Sequence, residues 1–110
     1  MILVKLERQR YILFKIIKDA NIFCEKKDFL NLIWRSIWRY FGMKEANKIG
    51  LWLFKLNLEE EIGIIRCTNK TKEEIISALT LIREINGKRI ILSPVKTSGT
   101  IKGLKKIKIK

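Results

Sequence analysis

Histidine is absent from this sequence. That excludes a nucleophile activated by imidazole and leaves too few soft ligands for a zinc site. Cysteine is nearly absent too: Cys24 and Cys67 stand far apart with no CxxC spacing. Both read as small apolar fillers in a reducing compartment. Acidic residues are scarce, 11 against 24 lysines and arginines, for a net charge of +13. No stretch reaches the roughly 20 uncharged residues needed to span a bilayer. Met1-Ile-Leu-Val precedes Lys5 and is too short for a secretion signal. The expectation is a cytoplasmic protein without a membrane anchor.

Hydrophobic residues make up 47% of the 110 positions, enough to fold. We read residues 1–110 as a single domain with basic flanking segments at 1–9 and 103–110. The charge concerns partners rather than fold. It favours nucleic acid or an anionic membrane surface, the alternative being a lysine-rich composition with solvated faces.

The stretch Glu61–Cys67 reads as a buried strand, with Ile62, Ile64 and Ile65 β-branched. Gly63 there admits a close neighbour. Tyr11–Ile17 is a strand apolar on both faces, Ile12, Phe14 and Ile16 on one, Tyr11, Leu13 and Ile17 on the other. A helix spans Phe29–Phe41, with Asp28 as its N-cap and Gly42 as its stop. Leu30, Ile33, Trp34, Ile37 and Phe41 face the core. Arg35 and Arg39 lie opposite, either solvated or in contact with RNA, and Trp38 flanks them as an anchor at the core edge.

Ile49–Leu58 is the next strand, again apolar on both faces, and Glu59–Glu61 turns it into Glu61–Cys67 as a hairpin. Carboxylates adjacent at a hairpin tip diverge, so no metal site is expected there. A second helix runs from Thr71 to about Asn86, opened by a Thr71/Glu74 capping box and closed by Asn86-Gly87. The last strand extends from Lys88 or Arg89 to about Thr97, and Pro94 marks an edge or a bulge. The tail from Ile101 to Lys110 carries five lysines and no acid.

The order β-α-β-β-α-β implies an α+β, ferredoxin-like (RRM-like) sandwich: a four-stranded antiparallel sheet with both helices on one face. Something must then cover the other face. We place a partner-protein interface there, on Tyr11, Leu13, Leu51 and Leu53. The familiar RNA-binding form of this fold stacks bases on aromatics of its two central strands. The Gly63–Cys67 strand has none, which argues against that mode. No pair of carboxylates and no nucleophile with a base is visible, so no catalytic or metal-binding residue is assigned. Cationic and hydroxyl groups collect instead at Arg66, Lys70, Ser98, Thr100 and Lys102, with Arg35, Arg39, Lys105 and Lys106 as further candidates for RNA contact. Ser98-Gly-Thr100 offers hydroxyls and amides suited to an anion.

Arg10-Tyr11-Ile12, Gly63-Ile-Ile-Arg-Cys67, Ala78-Leu-Thr-Leu-Ile82 followed by Ile85-Asn-Gly87, and Ser98-Gly-Thr-Ile-Lys102 closely resemble the archaeal ribonuclease P protein component 2 family. That family is shared with a small subunit of the eukaryotic ribonuclease P and MRP particles. The resemblance covers roughly residues 8 to 103, with the motifs in order and at matching spacing. It implies a protein subunit of an endonuclease, a hydrolase in tRNA processing, that removes the 5′ leader of precursor tRNA. The RNA subunit would carry the magnesium chemistry, and the protein itself would bind no cofactor. The implied partners are the ribonuclease P RNA, precursor tRNA and a larger barrel-shaped protein subunit, two copies of each protein. Charge and patterning alone leave two alternatives: another RNA-binding component, such as a ribosome-associated protein, or a protein-interaction domain without RNA contact.

Overall fold

The computed structural model describes residues 8–19, 24–46 and 50–105. Its elements are β1 (Gln9–Lys18), α1 (Lys26–Ala46), β2 (Trp52–Asn57), β3 (Ile62–Thr68), α2 (Lys72–Leu81), β4 (Glu84–Ile85), β5 (Lys88–Ser98) and α3 (Ile101–Lys105). The fold is α+β, with one antiparallel sheet in the order β2-β3-β1-β5-β4.

The sheet has five strands where the sequence pattern implied four. The difference lies in residues 82–87. Helix α2 ends at Leu81, and Ile82 turns extended as its N–H donates to the Leu79 carbonyl. Glu84–Ile85 then pairs with Arg89 and Lys88. Asn86 and Gly87 both take positive φ, 52° and 79°, which two-residue hairpins of the primed type require. Asn-Gly is therefore a hairpin turn here, not the stop of a longer helix.

The main core lies between the sheet and the pair α1/α2. Ile12, Phe14 and Ile16 of β1, Ile65 and Cys67 of β3, Leu53 of β2 and Ile90 and Leu92 of β5 meet Phe29, Ile33, Ile37, Ile75, Ala78 and Leu79 of the helices. Helix α1 begins at Lys26, so Asp28 sits inside its first turn instead of capping it, a position the helix dipole favours. The earlier start brings Phe29 into the core, stacked on Phe14 at 5.9 Å between ring centroids. Gly42 breaks the helix as expected, with φ 79°. Ser36 donates to the Ala78 carbonyl at 2.9 Å and ties α1 to α2.

Gly63 has the close neighbour its position suggested: the Phe14 ring lies over it where a Cβ would stand. The Thr71/Glu74 capping box does not form. A short 3-10 turn, Asn69–Thr71, precedes α2, and the Thr71 hydroxyl faces back to the hydroxyl and carbonyl of Thr68. Pro94 lies at a register shift between β1 and β5, in a part of β5 that β4 does not reach.

The second face of the sheet is covered in part by the chain itself. Leu104 of α3 packs on Leu13 and Ile64, with Tyr11, Ile62 and Ile101 around them. Leu51 and Leu53, assigned above to a partner interface on this face, lie in the main core at 8% and 1% exposure. Leu53 faces the helices with its partner Ile65 while Trp52 and Phe54 face the other way; alternation separates these two faces, and which of them is the core is what it could not show. Leu13 is likewise buried, under Leu104.

Cys67 is fully buried, and burial pushes its thiol up to about 11, with Lys72 lowering and Glu74 raising it less. The sign follows: the folded state holds the proton while the unfolded thiol, with an ordinary value of 9.0, releases it. The stabilisation is intact below pH 9.0 and is lost as pH rises toward about 11. Urea midpoints should therefore decline across that window in the wild type, and less in Cys67→Ala.

Candidate RNA interface

Strand β1 is central, and β3 and β5 both run antiparallel to it. The end of β3, the start of β1 and the end of β5 therefore share one end of the sheet. The register makes this specific: Trp52 pairs with Arg66, Arg66 with Tyr11, and Tyr11 with Ser98. Arg66 and Ser98 thus sit one strand to either side of Tyr11. Their backbones are separated by two strand spacings, roughly 10 Å. The two motifs that lie some thirty residues apart in sequence converge.

Arg10 joins the turns on either side. Its Nε donates to Asn69 Oδ1 at 3.0 Å, in the turn after β3. Its Nη1 occupies the place of a Cβ at Gly99, in the turn after β5. The Asn69 amide also donates to the Arg8 carbonyl at 2.6 Å. Arg10 was legible in the sequence as part of a motif, but its role as a clasp depends on the pairing of three strands.

Ser98 and Thr100 build a local cap. Ser98 Oγ accepts from the Thr100 N–H at 3.2 Å, and Thr100 Oγ1 accepts from the Gly103 N–H at 3.0 Å. These amides are consumed by the start of α3 instead of facing an anion, although each hydroxyl keeps its own O–H as a donor. Lys102 follows on the exposed side of α3, and Lys70 is exposed in the turn after β3.

Arg66 is half-buried and makes neither an ion pair nor a hydrogen bond among the described residues. Its Nε is sealed from solvent without a partner. A buried donor in that state costs about 1–3 kcal/mol, and no carboxylate among the described residues accounts for this arginine. Around it stand exposed aromatics: Trp52 at 52% and Phe54 at 44%, with Phe54 edge-on to Tyr11 at 6.1 Å. The aromatic-poor β3 therefore lies between aromatic neighbours on β1 and β2, which a reading of β3 alone missed. Strands β1, β2, β3 and β5 and helix α3 carry lysines and arginines and not one carboxylate.

The remaining candidates lie elsewhere. Arg35 and Arg39 are exposed on α1, across the core from α3, and Arg39 sits over the Tyr40 ring at 5.8 Å. Trp38 is 47% exposed beside Trp34, less covered than an anchor at the core edge. Lys105 ends α3, and Lys106 lies outside the described residues. Among the described residues no group of three cysteine, aspartate or glutamate side chains could hold a metal ion, and no helix is long and apolar enough to cross a membrane.

The sequence model of the Rpp14/Pop5 family matches residues 10–109. Ribonuclease P protein component 2 of Pyrococcus horikoshii is 37% identical over 100 residues, covering 91% of this chain and 82% of the relative. That of Methanocaldococcus jannaschii is 33% identical over 99 residues, covering 90% of this chain and 71% of the relative. Among solved structures, a chain of yeast ribonuclease MRP is similar with a TM-score of 0.69. It covers 87% of this chain and 77% of its own length at 10% identity, a likeness of fold. The chain belongs to the Rpp14/Pop5 family, and its archaeal relatives are protein subunits of ribonuclease P.

Proposed function

We propose that this chain is a protein subunit of ribonuclease P that binds the backbone of the catalytic RNA and supports removal of the 5′ leader from precursor tRNA. The observation that carries the reading is the convergence of Arg10, Arg66, Lys70 and Lys102 at one end of a sheet whose long strands carry no carboxylate. Cations grouped in this way neutralise phosphates and release counterions, a term independent of base sequence. The protein itself is non-catalytic in this reading, and magnesium belongs to the RNA. The strand order β2-β3-β1-β5 is that of a ferredoxin-like sandwich, extended by the β4 hairpin.

A larger, barrel-shaped protein subunit, in a complex of two copies each, completes the assembly in the cytoplasm. Ile17 and Ile91, cross-strand partners at the opposite end of the sheet, are 45% and 58% exposed and offer that subunit an apolar patch.

The test is the salt dependence of RNA binding by the full chain. Neutralising about five phosphates gives a log–log slope of roughly −3.5 to −4.5. A slope near zero, with binding retained at high salt, overturns the backbone reading.

A further inference from the structure

The row Trp52–Arg66–Tyr11 does something that phosphate binding leaves unused. We propose that it is a stacking platform for unpaired nucleotides, so that this face of the sheet takes a single-stranded RNA segment by its bases. The inference rests on the RNA-binding reading above and specifies its ligand.

Three observations carry it. First, the three side chains stand on adjacent strands in register, on the face opposite α1 and α2. Neighbouring positions lie about 5 Å apart. Both an indole and a guanidinium present flat surfaces on which a base can stack. One base over Trp52 and Arg66 and the next over Tyr11 would span the row.

Second, the platform is braced and left open. Phe54 meets Tyr11 edge-on, at an interplanar angle of 80°. Ile101 and Leu104 of α3 pack beside Tyr11 and cover Leu13 and Ile64, and the helix thereby bounds the platform on one side. Trp52 remains half exposed. Among the described residues Arg66 has no carboxylate partner, and its Nε is buried without a hydrogen bond.

Third, the electrostatics select the occupant. Here Lys15 and Lys55 lie along the same strands, Lys96 on the neighbouring β5 and Lys102 on α3, and none of these elements bears an acid. A polyanion with exposed π-faces, which is single-stranded RNA, satisfies both the aromatics and the cations.

The experiment compares three probes on the full chain: a single-stranded oligouridylate of about twelve nucleotides, an abasic oligonucleotide of the same length, and an RNA duplex. The wild type should bind the single strand with quenching of tryptophan emission, and the abasic chain roughly ten- to a hundredfold more weakly, as loss of one or two stacked bases implies. Trp52→Ala should lower single-strand affinity by a similar factor, remove most of the quenching, and leave duplex and abasic binding unchanged. Trp52→Phe should restore most of the affinity, which separates stacking from a folding defect. Equal affinity for abasic and normal strands overturns the platform while leaving the backbone reading intact. Failure to bind any of the three probes overturns both. If Trp52→Ala leaves single-strand affinity unchanged but prevents assembly with the protein subunits of the holoenzyme, the face belongs to a protein and the proposal fails.

Discussion

Phe14→Ala is expected to lower the stability of this protein by about 3–5 kcal/mol, the range for removing a buried aromatic. Phe14 is fully buried on the central strand, stacks on Phe29 and covers Gly63. One ring thus links the sheet to α1 and fills the space left by a missing side chain. The reverse change is also informative. Gly63→Ala should cost about 1–3 kcal/mol, because the new Cβ would overlap the Phe14 ring and the packed core gives way poorly. If the ring is the cause, the two sites are coupled. Adding Phe14→Leu to Gly63→Ala should then cost less than the sum of the single changes by about 0.5–3 kcal/mol. Urea unfolding at constant m-value reads Phe14→Ala and the three variants of the cycle, Gly63→Ala, Phe14→Leu and the double change. Strict additivity would show that Gly63 is needed for some other reason than its aromatic neighbour.

Arg66→Lys should slow precursor-tRNA cleavage by the reconstituted holoenzyme about tenfold at limiting magnesium, on the scale of one lost charge-assisted hydrogen bond. Lysine keeps the charge but loses the planar fork. Lys102→Ala removes one exposed point charge and should cost about two- to fivefold, in keeping with the small worth of exposed pairs. Circular dichroism should show both variants folded, since Arg66 holds no hydrogen bond among the described residues and Lys102 is exposed. Equal, negligible effects would show that this end of the sheet is structural. The RNA contact would then lie on Arg35, Arg39 and the C-terminal lysines.

Much of this site is legible in the linear chain. Arg66, Lys70, Ser98, Thr100 and Lys102 stand out because charge and hydroxyls cluster next to apolar strands. Strand alternation separated Leu51 and Leu53 from Trp52 and Phe54 but could not say which set meets the helices. The packing puts Leu53 in the core and leaves Trp52 and Phe54 outside. Arg10 was legible as part of a motif but not as a clasp, because its two contacts, Asn69 and Gly99, lie 59 and 89 positions away in sequence. The capping box failed because a 3-10 turn rotated Thr71 toward Thr68, an outcome decided by the turn's geometry and not by the residue types.

By itself the sequence determined the α+β class, the family and the excess of positive charge. Composition, hydrophobic period and motif spacing are properties of the chain in one dimension. It also pointed to Gly63 as a place of close approach and to Gly42 as a break in a helix, since both draw on what glycine permits. Only the tertiary structure decided that Asn86-Gly87 folds a fifth strand back on β5, and that α3 covers part of the second face. It alone set Trp52, Arg66 and Tyr11 side by side. Those outcomes depend on which strands pair and in what register. Register is fixed by the mutual burial of side chains far apart in the chain, which local preferences do not contain.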